Sequence, residues 1–255
     1  RGYMSLIGIG AAIGSVGVGL MAFVPGGNPK LGMVSPQAHI SSLVQSLRDR
    51  NFSFFLGGMS CYSLAAYTQG AFLPLFMKEQ LQLTPDAVVN IEIFSMLGGA
   101  IASILAGILA DRKGSRTVMI PGLVLSILTP IGWMCISLFQ GTPFLPTAAA
   151  NTLGCSLLFF YSGAVSTIAS IGSSRLLYNN VIPIEKNTPY TSLYYTIAGL
   201  TGGSAPLIAG HLLDSMSGRS FALLQVRFGA FQMLFAISLV LFCAAFFLYH
   251  RVCPD

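Results

Sequence analysis

Seven long apolar runs, each ended by turn residues or charges, constrain this sequence more than any other feature. A helix needs about 20 apolar residues to cross a hydrocarbon core. Runs at about 3–24, 52–76, 87–110, 117–139, 149–173, 190–213 and 226–249 meet that length. Their pattern is helical or apolar all round, without the alternation of an outer-membrane barrel strand. The first run is too long for the apolar region of a signal peptide, and Arg1 alone makes a poor basic flank. Hydrophobic residues make up 54% of the chain and charged ones 8%, against roughly 25% charged in soluble domains. So few charges cannot solvate the surface of a globule this size. An ordinary soluble enzyme and a disordered chain are therefore excluded. The net charge of +5 is spread between apolar runs and forms no basic stripe, which excludes a nucleic-acid partner. The expected fold class is an all-α membrane protein of about seven transmembrane helices.

Charge asymmetry orients the spans. The connections 25–51, 111–116 and 174–189, with the C-terminal tail, carry Lys30, Arg48, Arg50, Arg112, Lys113, Arg116, Arg175, Lys186 and Arg251. The opposite side carries Arg1, Lys78, Arg219 and Arg227. The richer side is expected in the cytoplasm, which puts the C-terminus there and the protein in the cell (inner) membrane. Cys61, Cys135, Cys155 and Cys243 fall inside spans with no metal-ligand spacing, so they read as small buried hydrophobes. No metal or other cofactor is expected.

The connection 25–51 divides the chain. It opens on Pro25-Gly26-Gly27-Asn28-Pro29, which cannot continue a helix. An amphipathic piece follows, Ser41 to Arg50, expected to lie on the membrane surface. The expected organisation is a single helix at 1–24, a cytoplasmic linker at 25–51, and a six-helix bundle at 52–255. An internal repeat supports it. Gly98-Gly99, Ala106-Gly107 and Asp111 around the third span are echoed by Gly202-Gly203, Ala209-Gly210 and Asp214 around the sixth, three spans later. Repeats of three plus three spans, the second inverted, build secondary transporters.

The strongest local motif is Gly107-Ile108-Leu109-Ala110-Asp111-Arg112-Lys113-Gly114-Ser115-Arg116. Here the chain resembles the major facilitator superfamily, whose signature between paired helices is Gly, three residues, Asp, Arg, one residue, Gly, then basic residues. Gly107, Asp111, Arg112, Gly114 and Arg116 match, and Ser115 departs by replacing the first of two basic residues. In this reading Gly107 lets the next helix approach. Asp111 accepts from a neighbouring helix N-terminus or pairs with Arg, and Gly114 permits the tight turn. Such a cluster locks one conformation of a rocking bundle. Phe72 to Phe76, Leu83-Thr84-Pro85, and the stretches from Arg175 to Lys186 and from Tyr190 to Asp214 also look like that family. The resemblance covers about 1–250, as a sixth helix plus the C-terminal six-helix half. It implies that the first five spans of a twelve-span protein are missing, and that the chain's partner is the N-terminal half or a second copy.

The resemblance also implies that the second and fifth spans line a central cavity. Tyr62 and Gln69 share a helical face on the former. The latter carries a stripe of Asn151, Cys155, Ser162, Ser166 and Ser173, and the sixth span adds Tyr190 and Tyr194. Hydroxyls and amides there suit a small polar solute. The fourth span, with Pro121 and Pro130 and almost no polar groups, reads as an outer, lipid-facing helix. Glu92 is the one acid well inside a span, about 10 Å deep at 1.5 Å per residue. It is the candidate for proton coupling, by raising its carboxyl into a titratable range through desolvation; the other reading is an interfacial residue favoured by the helix N-terminal dipole. Arg227 is expected to snorkel to the interface.

Other classes fit less well. A retinal protein needs a lysine inside the bundle, and Lys30, Lys78, Lys113 and Lys186 lie at span ends or in connections. An intramembrane hydrolase needs a Ser–His pair or paired aspartates, and His39, His211, His250, Asp111 and Asp214 are placed for neither. A seven-helix ligand-sensing receptor leaves the repeat unexplained, and a non-transporting membrane fragment is the other alternative. The expected function is therefore part of a non-enzymatic secondary transporter working by alternating access, driven by a proton or solute gradient, in symport.

Overall fold

The computed structural model of the chain describes residues 2–21, 23, 36–139, 148–183, 187–216, 221–223 and 226–252. It forms two units, Arg1–Ala38 and His39–Asp255. The first contains α1 (Gly2–Met21), an apolar helix of 20 residues. Pro25 to Pro29, Lys30, Glu185 and Lys186 lie outside the described residues.

The second unit begins within α2 (Pro36–Arg48) and turns sharply into α3 (Arg50–Gly70). Asp49 makes that corner. Its Oδ1 accepts from the backbone N–H of Asn51 at 3.0 Å and of Phe52 at 3.4 Å, capping two of the N–H groups a helix start leaves unpaired. Its Oδ2 accepts from the Tyr190 hydroxyl at 3.1 Å, tying the corner to the start of α8. The second apolar run, expected to be continuous over 52–76, breaks at Ala71 and Phe72 and resumes as α4 (Leu73–Glu79), where Pro74 sits in the first turn.

Thr84 caps α5 (Pro85–Lys113) by accepting from the Ala87 N–H, with Pro85 opening the first turn. Gly114 alone separates α5 from α6 (Ser115–Phe139). Its φ of 87° and ψ of 163° belong to a region that only glycine enters at low cost. The helix α7 (Ala148–Leu176) ends in a π-helical turn, Leu177–Val181. The long α8 (Asn187–Met216) follows. A short antiparallel hairpin of β1 (Phe221–Leu223) and β2 (Val226–Phe228) then leads into α9 (Ala230–His250). The last apolar run thus becomes helical at Ala230, and its first residues, Arg227 among them, are strand. The side chain of Arg227 lies outside the described residues.

The helices pack as two groups of three, α3 with α8 and α9, and α5 with α6 and α7, joined where α6 meets α9. This pattern maps onto itself when α3 exchanges with α7, α5 with α8 and α6 with α9, as a three-plus-three repeat requires. Both copies of the repeat use small residues alike. A Cβ on Gly98 of α5 would run into the Phe160 carbonyl of α7, and one on Gly202 of α8 would lie 3.3 Å from the Tyr67 ring of α3. Ala106 and Ala209 are both buried. Closely approaching backbones of this kind are how membrane helices gain packing where lipid removes the hydrophobic drive.

Two aromatic clusters hold the ends. Phe52, Phe55, Met119 and Tyr249 pack at one end, and Phe76, Ile91, Trp133 and Phe235 at the other. Among the described residues four helices are long and apolar enough to cross a membrane: α5, α6, α7 with its π-helical turn, and α9. The protein is an all-α membrane protein. α3 and α8, at 21 and 30 residues, have the length, about 30 and 45 Å, but are more polar. α6 packs against α7 and α9, with Trp133 and Met119 sealed inside and Ser126 and Thr129 buried, while its Val124, Leu128 and Ile131 are exposed.

Candidate solute cavity and conformational cluster

Three cavities open along the seam between α3 and α7, where the two three-helix groups face each other without packing closely. Tyr62 of α3 lines all three. One, of about 250 Å³, is bounded by Tyr62, Tyr67, Ser170, Ser173, Tyr194 and Tyr249. A second, of about 210 Å³, is bounded by Tyr62, Gln69, Thr129, Phe159, Ser162 and Phe242. The third, of about 490 Å³, joins Ser63 and Tyr67 to Ser166, Thr167 and Ser170.

Helical periodicity explains the convergence. Tyr62, Ala66 and Gln69 recur at four and three residues along α3, and Ser162, Ser166, Ser170 and Ser173 at four, four and three along α7, so each set shares one face. The Ser126 hydroxyl donates to the Gly122 carbonyl at 2.8 Å, so the Tyr62 hydroxyl, 3.5 Å away, acts as donor to Ser126. The Phe242 ring meets Tyr62 edge-on at 5.3 Å and fixes its plane. The Ser173 and Tyr249 hydroxyls pair at 3.3 Å.

Gln69 is 6% exposed, yet its Oε1 has no hydrogen-bond partner. The Ser162 Oγ is likewise buried and unpaired. Both line the second cavity. A buried polar atom left unpaired costs its full desolvation, and two such atoms border this one cavity. Trp133 Nε1, Asn151 Oδ1 and Ser238 Oγ are also buried and unpaired, but they line none of the three cavities.

Of the residues singled out from sequence, Tyr62, Gln69, Ser162 and Tyr194 meet along this seam, with Ser166 and Ser173 beside them. Asn151 is buried away from the three cavities, and Cys155 is packed into the cluster around Trp133. Tyr190 is a brace, spent on Asp49. Glu92 lies on the exposed side of α5 and lines none of the three cavities. Sequence reasoning missed Tyr67, Ser63, Thr129 and Ser170. The Ser170 signal was present, because it continues the stripe of Ser162 and Ser166 by one more turn.

The conformational motif sits at one end of the bundle. Asp111 Oδ1 accepts from Arg175 Nη1 at 2.5 Å, which ties the end of α5 to the end of α7. Arg116 donates to the His250 carbonyl at 3.3 Å, capping the last turn of α9. Arg50 and Arg251 both lie over the Phe54 ring, at 5.6 and 5.9 Å. These contacts gather Arg50, Arg116, Arg175 and Arg251 at one end of the bundle with Arg112 and Lys113. The arginine that pairs with Asp111 is Arg175 of α7, and among the described residues no bond runs to it from the N–H groups of α6. One expectation is corrected. A Cβ on Gly107 would meet nothing within 4 Å, so Gly107 is not where the neighbouring helix approaches. Gly98, Gly99 and Gly163 do that.

A bundle of apolar helices around uncharged polar cavities defines an integral, multi-pass membrane protein. The family model of the Major Facilitator Superfamily matches residues 55–254, from α3 to the end of α9, and the chain belongs to that family. It is thereby a membrane transporter of a family that is generally non-enzymatic.

Proposed function

We propose that the chain carries one six-helix half of a secondary active transporter, which binds a small polar solute along the α3–α7 seam and releases it by alternating access. The observation that carries the site is the pair of unpaired buried atoms, Gln69 Oε1 and Ser162 Oγ, facing one cavity. The moving surface is a second six-helix bundle, preceding this one in the polypeptide or supplied by a second copy, which rocks about the seam. The Asp111–Arg175 pair acts as the latch. It joins the ends of two helices that close packing holds together elsewhere, and its exposure lets it break at small cost. Coupling is to a proton or solute gradient, in symport, with Glu92 as the candidate proton carrier. The cell (inner) membrane is the proposed location, with the arginine-rich end and the C-terminus in the cytoplasm.

The test is uptake in proteoliposomes under an imposed proton gradient, comparing wild type with Tyr62→Phe and Gln69→Ala. Saturable uptake weakened by both substitutions supports the site. Uptake indifferent to both refutes it. For orientation, a cysteine at Gly114 in a cysteine-free background should react with an impermeant thiol reagent only from the cytoplasmic side. Labelling from outside intact cells would overturn that assignment.

A further inference from the structure

The three cavities share one chemical property: none has a charged residue in its lining. The hydroxyls of Tyr62, Tyr67, Tyr194 and Tyr249 face the seam with serines of α3 and α7. The second cavity adds Thr129 and the Gln69 carboxamide. No Asp, Glu, Lys, Arg or His lines any of the three. Asp111 and Arg175 are spent on each other, and Glu92 is on the exposed side of α5.

Building on the solute site placed above, we propose that its ligand is an uncharged, hydroxyl-rich small molecule, a polyol or sugar. An ion entering this seam loses hydration and meets no counter-charge on the lining residues of this half, so carboxylates and ammonium compounds gain nothing from it. A purely apolar solute is disfavoured for the opposite reason, because it leaves Gln69 Oε1 and Ser162 Oγ buried and unpaired. A hydroxyl both donates and accepts, so a polyhydroxyl solute satisfies these groups in either sense. Gln69 Oε1 accepts a hydrogen bond from a solute O–H, and Ser162 Oγ accepts or donates one. The Tyr62, Phe159 and Phe242 rings supply apolar faces for the C–H side of such a molecule. The cavities, of about 210, 250 and 490 Å³, lie below or in the lower half of the ~300–1,000 Å³ of drug-sized sites, which suits a small solute.

The structure also provides a binding readout. Trp133 is the chain's single tryptophan. Its ring lies 5.3 Å from that of Phe159, which lines the second cavity. Titrating the purified protein in nanodiscs with mannitol, glucose, lactate and choline should shift Trp133 emission saturably with one of the first two and with neither ion. In proteoliposomes the same neutral solutes, radiolabelled, should be taken up. Gln69→Ala should weaken the response about 3- to 10-fold, the worth of one hydrogen bond. Ser162→Ala should do the same, and it carries the test if the Gln69 variant does not purify as folded protein. Saturable response and uptake of lactate or choline, lost in those variants, with none for mannitol or glucose, would overturn the neutral ligand and leave the site standing. Saturable uptake of any solute that both variants leave unchanged would overturn the site itself. No response to any of the four would overturn the proposal of a polyol or sugar ligand.

Discussion

The crossing of α5 and α7 makes the sharpest prediction, because its glycines face backbone and not side chains. A Cβ on Gly163 would collide with the Ser95 carbonyl oxygen, and one on Gly98 with that of Phe160, both well inside the 3.0 Å that Cβ atoms respect. Carbonyls within a helix cannot rotate away, so Gly163→Ala must push the helices apart. A gap of 0.5–1 Å forfeits roughly a quarter to a half of each dispersion contact along the crossing. Overpacking costs typically about 1–3 kcal/mol, and replacing a helical glycine returns up to about 1 kcal/mol. Gly107→Ala keeps the return without the cost, since its Cβ meets nothing within 4 Å. The return is common to both, so the two alanine variants should differ by the overpacking cost, about 1–3 kcal/mol, or roughly 2–12 °C in melting temperature at about 2–4 °C per kcal/mol. The double variant Gly98→Ala/Gly163→Ala should fall short of additivity, because the first collision already opens the gap the second needs. Thermal unfolding in lipid nanodiscs, followed by Trp133 emission, measures all four proteins. If Gly163→Ala melts with Gly107→Ala, the two backbones are not in contact and the packing described for α5 and α7 is wrong.

Three further outcomes follow from the geometry. Gly114→Ala should destabilise by about 1–2 kcal/mol in the same melt, because φ of 87° strains any residue with a Cβ; an unchanged melting temperature would refute the tight turn. Asp111→Asn should leave stability within about 1 kcal/mol, as the pair is exposed, but slow transport, and the swap Asp111→Arg/Arg175→Asp should recover rate over either single change; no recovery would sink the latch. Glu92→Gln should abolish uphill accumulation under a proton gradient while sparing exchange down the solute's own gradient; normal accumulation would remove Glu92 from coupling.

The membrane character and the placing of the bundle helices were legible because long apolar runs with glycine, proline and charge at their ends leave few alternatives. The repeat was legible too, from Gly98-Gly99 and Gly202-Gly203. The role of Gly107 was not: a motif says that glycine is there, but whether a backbone comes close depends on a crossing point one turn or more away. The Asp111 partner was hidden for a similar reason. Arg175 is 64 residues distant, and only the return of α7 beside α5 brings the two together. The break at Ala71 and Phe72 was missed although Gln69-Gly70 and Pro74 flank it, because the apolar residues on both sides read as one run. Asn151 and Cys155 matched the α7 stripe by spacing but lie nearer the end closed by Trp133, where the seam has already filled with side chains.

Polarity of composition and polarity left unsatisfied are different quantities, and the second locates the site. α8 is more polar than α5, α6, α7 and α9, yet the hydroxyls of Thr191, Thr196 and Thr201 donate to carbonyls three or four residues back in their own helix. Ser60, Ser126 and Ser156 do so elsewhere. Such back-bonding lets a helix carry hydroxyls into an apolar medium at little cost. A carboxamide two carbons from the backbone has no such easy internal partner, and at Ser162 the hydroxyl does not take one. The atoms that cannot satisfy themselves are the ones that need something from outside the helix. In α3 and α7 two of them face the same cavity, and that coincidence is what the proposed solute site rests on.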